Sequence, residues 1–318
     1  CFVYIKILHN LKKIIITLLF CVLISLYALA GYRNTSIRDS SVVDIHFPYP
    51  SIPSSLRSVP ERTAYLSEHY WDRYDFSDTA LIHRSEVTEQ GLVNFLDLLG
   101  RMDSLTAAPA VSKFVSDVTR APSASREYFS GQLEHYLFNP ESPMRNGELY
   151  LSFLQCRLQY PHLSETDRKQ LEFRLKNLQK NRIGHQASDF VYVDRKGRKS
   201  TLYSTVGEYI LLYFNNPDCE NCHIATRKLK NLALLTDPRI KVLAVYPDVD
   251  TAEWTTHTRQ IPLQWIDARS FRGEIISKSL YFIQAMPTLY LLDKNKRVIL
   301  KDCSPEELGA DLHQILKR

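Results

Sequence analysis

The sequence predicts an N-terminal helical domain followed by an α/β domain, and three observations lead to that fold class. Between Glu61 and Leu178 apolar residues recur at three- and four-residue spacing, the period of an amphipathic helix. Later in the chain, short continuous apolar runs replace that pattern: Tyr209 to Phe214, Ile240 to Tyr246 and Leu289 to Leu292 suit buried strands. The first of these runs is joined to a helical pattern, Leu229, Leu232 and Leu235, by Cys219-Glu220-Asn221-Cys222. Two thiols separated by two residues at a helix start lie close enough to form a small disulfide ring. The first of them sits at the positive end of the helix dipole, which stabilises a thiolate.

Bulk composition agrees with two cores. The chain has 318 residues, 44% of them apolar, and a mean hydropathy of −0.24. Of the formal charge of +5, three positive charges come from Lys6, Lys12 and Lys13 in a segment without acids, which leaves +2 for the rest. That near-neutral balance gives no case for a nucleic-acid partner.

Residues 1–30 have the order of an export signal: Lys12-Lys13, an apolar stretch from Ile14 to Tyr27, then Ala28-Leu29-Ala30 before Gly31. Basic, apolar and small-x-small regions in that order predict cleavage after Ala30 and an exported mature chain, in the periplasm or cell envelope. Retained as an anchor, the segment is only slightly short of a membrane span. Cys21 does not read as a lipidation site, because the bulky Phe20 precedes it.

Residues 31–49 form an extended lead-in, and Pro48, Pro50, Pro53 and Pro60 keep the stretch up to residue 60 without periodicity. The helical domain is expected over 50–183. Its apolar faces are Leu92, Phe95, Leu96 and Leu99; Val111, Phe114, Val115 and Val118; Leu133, Tyr136 and Leu137; Leu149, Phe153 and Cys156; and Leu171, Leu175 and Leu178. Breaks are expected at Pro109, Pro122, Pro140 with Pro143, and Pro161, giving several short antiparallel helices. The aromatic cluster Tyr65, Tyr70, Trp71, Tyr74 and Phe76 reads as core.

The second domain is expected over 184–318, after a short linker, Asn181 to Ser188, around Gly184. Asp189 to Val193 and Lys199 to Tyr203 form a hairpin through Arg195-Lys196-Gly197-Arg198. Residues 251–281 carry further helical and extended pieces. Ala285-Met286-Pro287-Thr288 leads into the strand Leu289 to Leu292, Lys294-Asn295-Lys296 turns into a last strand, Arg297 to Lys301, and Ser304 caps a closing helix with Pro305 at its first position.

Strand, loop, C-x-x-C and helix, followed by Met-Pro-Thr before a strand and hairpin, resemble the active-site unit of the thioredoxin superfamily. The resemblance covers residues 189–318 and implies a thioredoxin fold, a central mixed sheet flanked by helices. The N-terminal hairpin makes the exported, cytochrome-maturation branch the nearer comparison. The strings Arg62-x-x-Tyr65-Leu66-x-x-His69-Tyr70-Trp71-Asp72, Tyr136-Leu137-Phe138-Asn139-Pro140-x-Ser142-Pro143 and Lys180-Asn181-Arg182-x-Gly184 resemble an uncharacterised helical domain fused ahead of thioredoxin-like domains in envelope proteins of Bacteroidetes. It brings no chemistry of its own, and a docking or partner-selecting role is expected for it.

The resemblance implies a thiol–disulfide oxidoreductase acting on protein or peptide disulfides, with no cofactor or metal. Cys219 is the expected nucleophile and Cys222 the resolving thiol, together the redox disulfide. Pro287, expected to be cis and beside Cys219, and the Met286 backbone are the expected substrate contacts. The sequence departs from the family in two positions. Asp218 stands where thioredoxins have Trp, and Tyr213 replaces the buried Asp. Glu220, similar to a glutamate in cytochrome-maturation thioredoxins, is therefore the candidate for proton exchange with Cys222. Asp218 and Glu220 also repel a thiolate, which argues for a reductase, fed by a membrane electron donor, over a strong oxidase. His223 is expected at a surface helix position.

Other readings of the motif are a static disulfide and half of a zinc site, although zinc needs two further ligands and no second C-x-x-C is present. For the whole chain, the alternative is a non-enzymatic envelope binding module on a thioredoxin scaffold. A peroxidase is disfavoured by Asn215-Asn216-Pro217-Asp218 ahead of Cys219. Cys156 is expected to be a buried inert thiol and Cys303 partly exposed, with parity the only argument for a bridge between them.

Overall fold

In the computed structural model of the protein, residues 46–160, 163–257 and 260–317 are described. The first helix, α1 (Val59–His69), starts with a reciprocal cap: the Glu61 amide donates to the Ser58 hydroxyl, and the Ser58 amide donates to the Glu61 carboxylate. Such a cap satisfies amides that a helix start leaves open. It is followed by α2 (Thr88–Gly100), α3 (Ser104–Arg120), α4 (Ser123–Leu137), α5 (Gly147–Gln159) and α6 (Glu165–Leu178). Asp103, Asn146 and Ser164 cap α3, α5 and α6 through their side chains. The expected apolar faces of α2 and α3 are buried in one core with Phe129 and Phe153. Tyr70, Trp71 and Tyr74 are buried in the same core, and Phe76 packs on Trp71 with ring centroids 5.5 Å apart.

Two expectations about this half need correction. Pro109 lies inside α3 and does not end it. The amide it lacks would have bonded the carbonyl of Leu105, and both residues lie on the exposed side of the helix, where water can donate to that carbonyl instead. The lead-in also ends inside the core: Phe47 is buried against Tyr70, Trp71 and Tyr74. Gly91 makes room for it, since a Cβ there would come within 2.2 Å of the Phe47 ring. Pro161 and the predicted export segment 1–30, with Cys21, lie outside the described residues. Among the described residues no helix is long and apolar enough to cross a membrane.

The second half is built on a seven-stranded mixed sheet of order β2-β1-β5-β4-β3-β6-β7. Its strands are β1 (Val191–Asp194), β2 (Lys199–Thr201), β3 (Tyr209–Phe214), β4 (Ile240–Tyr246), β5 (Ile266–Ser270), β6 (Thr288–Asp293) and β7 (Val298–Lys301). β3 runs parallel to β4 and antiparallel to β6, pairing Tyr213 with Ala244 on one side and Leu289 on the other. Both faces of β3 are covered, which is why its sequence is continuously apolar. Ile210, Leu212 and Phe214 enter one core, while Leu211 and Tyr213 enter the other with Leu229 of α7 (Glu220–Lys230) and Leu308 of α10 (Pro305–Ile315). Two short helices, α8 (Thr251–His257) and α9 (Glu274–Ser277), lie between these elements. Ser304 and Glu307 form a second reciprocal cap, with Pro305 as the first residue of α10.

β5 has no apolar run and is the strand that periodicity misses. Its Asp267 is buried and receives Arg195 Nε at 2.7 Å and Trp254 Nε1 at 3.1 Å. Burial raises its carboxyl pKa, and the bonds from Arg195 and Trp254 oppose that shift.

The expected linker is not loose. The amides of Gly184 and Ala187 donate to the carbonyls of Val298 and Lys296, and the Val298 amide donates to His185. Asn181, held at a φ of 50°, bonds the Ser188 amide and the Leu280 carbonyl through its buried side chain. Direct contacts add to this. Lys301 Nζ donates to the carbonyls of Leu178 and Lys180 at the end of α6, Arg145 reaches Gln284 and Asp302, and Phe138 stacks on Phe282. The helical and sheet lobes therefore belong to one compact unit, His46–Arg318.

Candidate active site

The α7 start fixes the site. β3 ends at Phe214, the Asn215 amide donates to Val245, and the short loop that follows delivers Cys219 as the N-cap residue of α7. Its Sγ accepts from the Cys222 amide at 3.1 Å, so a backbone donor at the positive helix end points at the sulfur. The Cys219 thiol in turn donates to the Met286 carbonyl at 3.3 Å, and the Met286–Pro287 bond is cis. Residues 67 positions apart are thus brought together in one cluster, Cys219, Cys222, Met286 and Pro287.

The two thiols differ in environment. Cys219 is half-buried, whereas Cys222 is fully buried beneath it. Burial first, and then the contact with Cys219, holds the Cys222 thiol well above its usual range, so it stays protonated at neutral pH. Tyr213, at the position of the family's buried acid, donates its hydroxyl to the Cys222 carbonyl at 2.9 Å and pairs with Thr226 Oγ1 at 2.9 Å. Burial raises this phenol strongly as well, so Tyr213 ties β3 to α7 and does not replace a titrating carboxylate.

Glu220 is not brought to Cys222. Its side chain is 73% exposed and turns to His223 Nδ1 at 3.5 Å and Arg227 at 3.7 Å. His223, expected to point away, folds back instead: Nε2 donates to the Pro217 carbonyl at 2.7 Å, anchoring the loop that carries Cys219. No sequence signal marks this contact beyond the i,i+3 spacing of Glu220 and His223. Asp218 is exposed on the other side of Cys219.

The four described cysteines are free, so Cys156 and Cys303 are not bridged. Cys156 is half-buried against the helical core, and burial raises its thiol. Cys303 is pushed up to about 12 by burial, followed by Glu307 and Asp302, which leaves almost no thiolate at neutral pH. Sequence reasoning also missed the surroundings of the site. A groove of about 490 Å³ runs beside Met286 and Pro287, bounded by one side of α7, the start of α10 and, across from them, the loop Pro140–Arg145 between α4 and α5.

Comparison with known proteins agrees with this geometry. Residues 29–181 match a domain of unknown function (DUF5106), and residues 207–298 match a thioredoxin-like family. A crystal structure of a thioredoxin-like protein from Bacteroides caccae is 34% identical with a TM-score of 0.79, and the match covers 84% of this chain and 98% of that one. Thiol-disulfide oxidoreductase ResA of Bacillus thuringiensis subsp. konkukian and of Bacillus cereus are each 26% identical over 141 residues, 44% of this chain and 80% of the relative. The chain belongs to the thioredoxin-like family of thiol–disulfide oxidoreductases.

Proposed function

We propose that the protein reduces disulfides of protein or peptide substrates in the cell envelope through the Cys219/Cys222 dithiol. The observation that carries this reading is Cys219 Sγ at the α7 start, accepting from the Cys222 amide at 3.1 Å and lying 3.3 Å from the Met286 carbonyl. When Cys219 loses its proton the Met286 contact loses its donor, while the amide bond becomes charge-assisted. The thiolate attacks one substrate sulfur, the substrate S–S bond breaks, and the departing thiolate takes up a proton. Cys222 then gives up its proton and attacks Cys219, which forms the protein disulfide and releases the second substrate sulfur as a thiolate. Two electrons pass from the dithiol to the substrate.

Met286 and Pro287 form the surface on which the substrate strand lies. Glu220 takes a different part from proton exchange with Cys222: beside His223 and Arg227, it sets the charge around Cys219. Export through residues 1–30, supported by the basic, apolar and small-residue order of the segment, and a membrane electron donor that restores the dithiol complete the reading; the segment anchors the chain only where it stays uncleaved. The test is insulin reduction by the full chain with dithiothreitol as donor. Precipitation of the freed insulin chain is expected well ahead of that with dithiothreitol alone, and an unchanged onset would contradict the proposal.

A further inference from the structure

The loop between α4 and α5 belongs to the helical lobe, yet it stands across a groove from the loop that carries Met286 and Pro287. Arg145, at the end of this loop, donates to Gln284 at 2.8 Å, 139 positions away, and lies 3.4 Å from Asp302. Phe138, just before the loop, stacks on Phe282. The helical wall is therefore fixed to the segment that precedes the Met286–Pro287 pair, and the groove is continuous with the surface next to Cys219. Its volume of about 490 Å³ falls within the roughly 300–1,000 Å³ of ligand sites.

Charge narrows the occupant. Among the described residues the groove is lined by two cations, Arg145 and Lys228, and both are engaged, Arg145 with Asp302 and Lys228 with Glu306 at 2.7 Å. Two lining carboxylates are left over, Glu141 on the helical wall and Glu307 at the start of α10, where it accepts from Ser304. Asp218 stands exposed beside Cys219 and extends the same sign, whereas Glu220 is engaged by Arg227 and is left out of this count. An acidic groove that leads to a reactive sulfur favours a basic polypeptide and repels an acidic one.

We infer that the helical lobe supplies the second wall of the substrate groove, and that this wall selects extended disulfide-bearing segments with basic residues next to the cysteine. The inference rests on the oxidoreductase reading above. It gives the helical lobe a part in choosing substrates, with Glu141 as the specificity-determining residue on that wall.

The test uses the reduced full chain and three disulfides: neutral hydroxyethyl disulfide, and two peptides of equal length with one internal disulfide flanked either by arginines or by glutamates. At low ionic strength the second-order rate constant for reduction of the arginine peptide, each disulfide consuming one protein dithiol, should be about tenfold that for the glutamate peptide. That ratio should approach one near 1 M salt. Glu141→Lys should cut it by about threefold or more and Glu141→Gln by less, and because the readout is a ratio, partial loss of folded protein does not move it. A wild-type ratio of one or below, a ratio unchanged in Glu141→Lys, or reduction of hydroxyethyl disulfide with neither peptide turned over would overturn the inference. Failure on all three disulfides would instead remove the oxidoreductase reading, and the groove assignment with it.

Discussion

With Cys219 replaced by serine, catalysed disulfide reduction is expected to fall by about 10³-fold or more, to the rate of the donor alone. Serine keeps the size of the side chain and its place as N-cap, so the helix start is retained, but its hydroxyl is not a nucleophile toward a disulfide. Cys222→Ser should behave differently. Cys219 is then still able to attack, the resolving step is missing, and a mixed disulfide between Cys219 and the substrate accumulates. Non-reducing electrophoresis with mass spectrometry of the linked peptide reads this directly. The asymmetry follows from the structure, since Cys219 is accessible and faces Met286 while Cys222 is fully buried with its thiol held protonated. Full activity in both variants would exclude the dithiol mechanism, and a trap that forms in Cys219→Ser would reverse the two roles.

The second large effect is on stability. Trp71→Ala should destabilise the helical lobe by about 3–5 kcal/mol, the cost of emptying a large aromatic site in a packed core. Trp71 is 4% exposed and touches the rings of Phe47, Tyr70, Tyr74, Phe76, Phe95, Phe114 and Phe129. Its Nε1 has no hydrogen-bond partner among the described residues, so the loss is one of packing and no polar partner is orphaned. Trp71→Phe should accordingly cost much less, because it keeps most of the ring contacts and removes an unpaired buried donor. Urea denaturation followed by circular dichroism measures both. A loss below about 1 kcal/mol in the alanine variant would mean that these rings are not the centre of the lobe.

The parts that could be read in the sequence were those with local signals. A six-residue apolar run, a C-x-x-C, a helical stripe and a capping serine each reflect forces acting within a few residues, and β3, α7 and α10 stand where those signals put them. β5 was hidden because its buried acid is balanced from far away, by Arg195 in the turn of the β1–β2 hairpin. Phe47 was hidden because the pocket that receives it exists only through Gly91, more than forty positions later. At the site, Cys219 and Cys222 were marked by their spacing, and Met286 and Pro287 by the resemblance of Met-Pro-Thr before a strand to the proline loop of the thioredoxin superfamily. His223 was not, since its bond to Pro217 depends on how the preceding loop doubles back. The groove wall was least legible: Asn139-Pro140 and Ser142-Pro143 do break the helix as ordinary turns, and only tertiary packing sets that turn opposite the Met286–Pro287 loop.

The charges around Cys219 bear on the direction of electron flow. A strongly oxidising couple requires a dithiol form stabilised through an acidic thiolate, which calls for positive or hydrogen-bond-donating neighbours. Here the Cys222 amide donates to the sulfur, but Asp218 and Glu220 flank it, and His223 and Arg227 are turned to Glu220. This arrangement supports the proposed reading of the protein as a reductant, in which the disulfide form is more favoured than in an oxidase. Neutralising both acids, by Asp218→Asn with Glu220→Gln, should raise the potential by about 10–30 mV.

The most direct measurement of the central claim is equilibration of the full chain in dithiothreitol and glutathione buffers, with the Cys219–Cys222 disulfide quantified by mass spectrometry. A single two-electron transition near the thioredoxin value of about −270 mV is the predicted result. A transition close to the roughly −120 mV of a strong disulfide oxidant, or no reversible disulfide between these two cysteines, would contradict it.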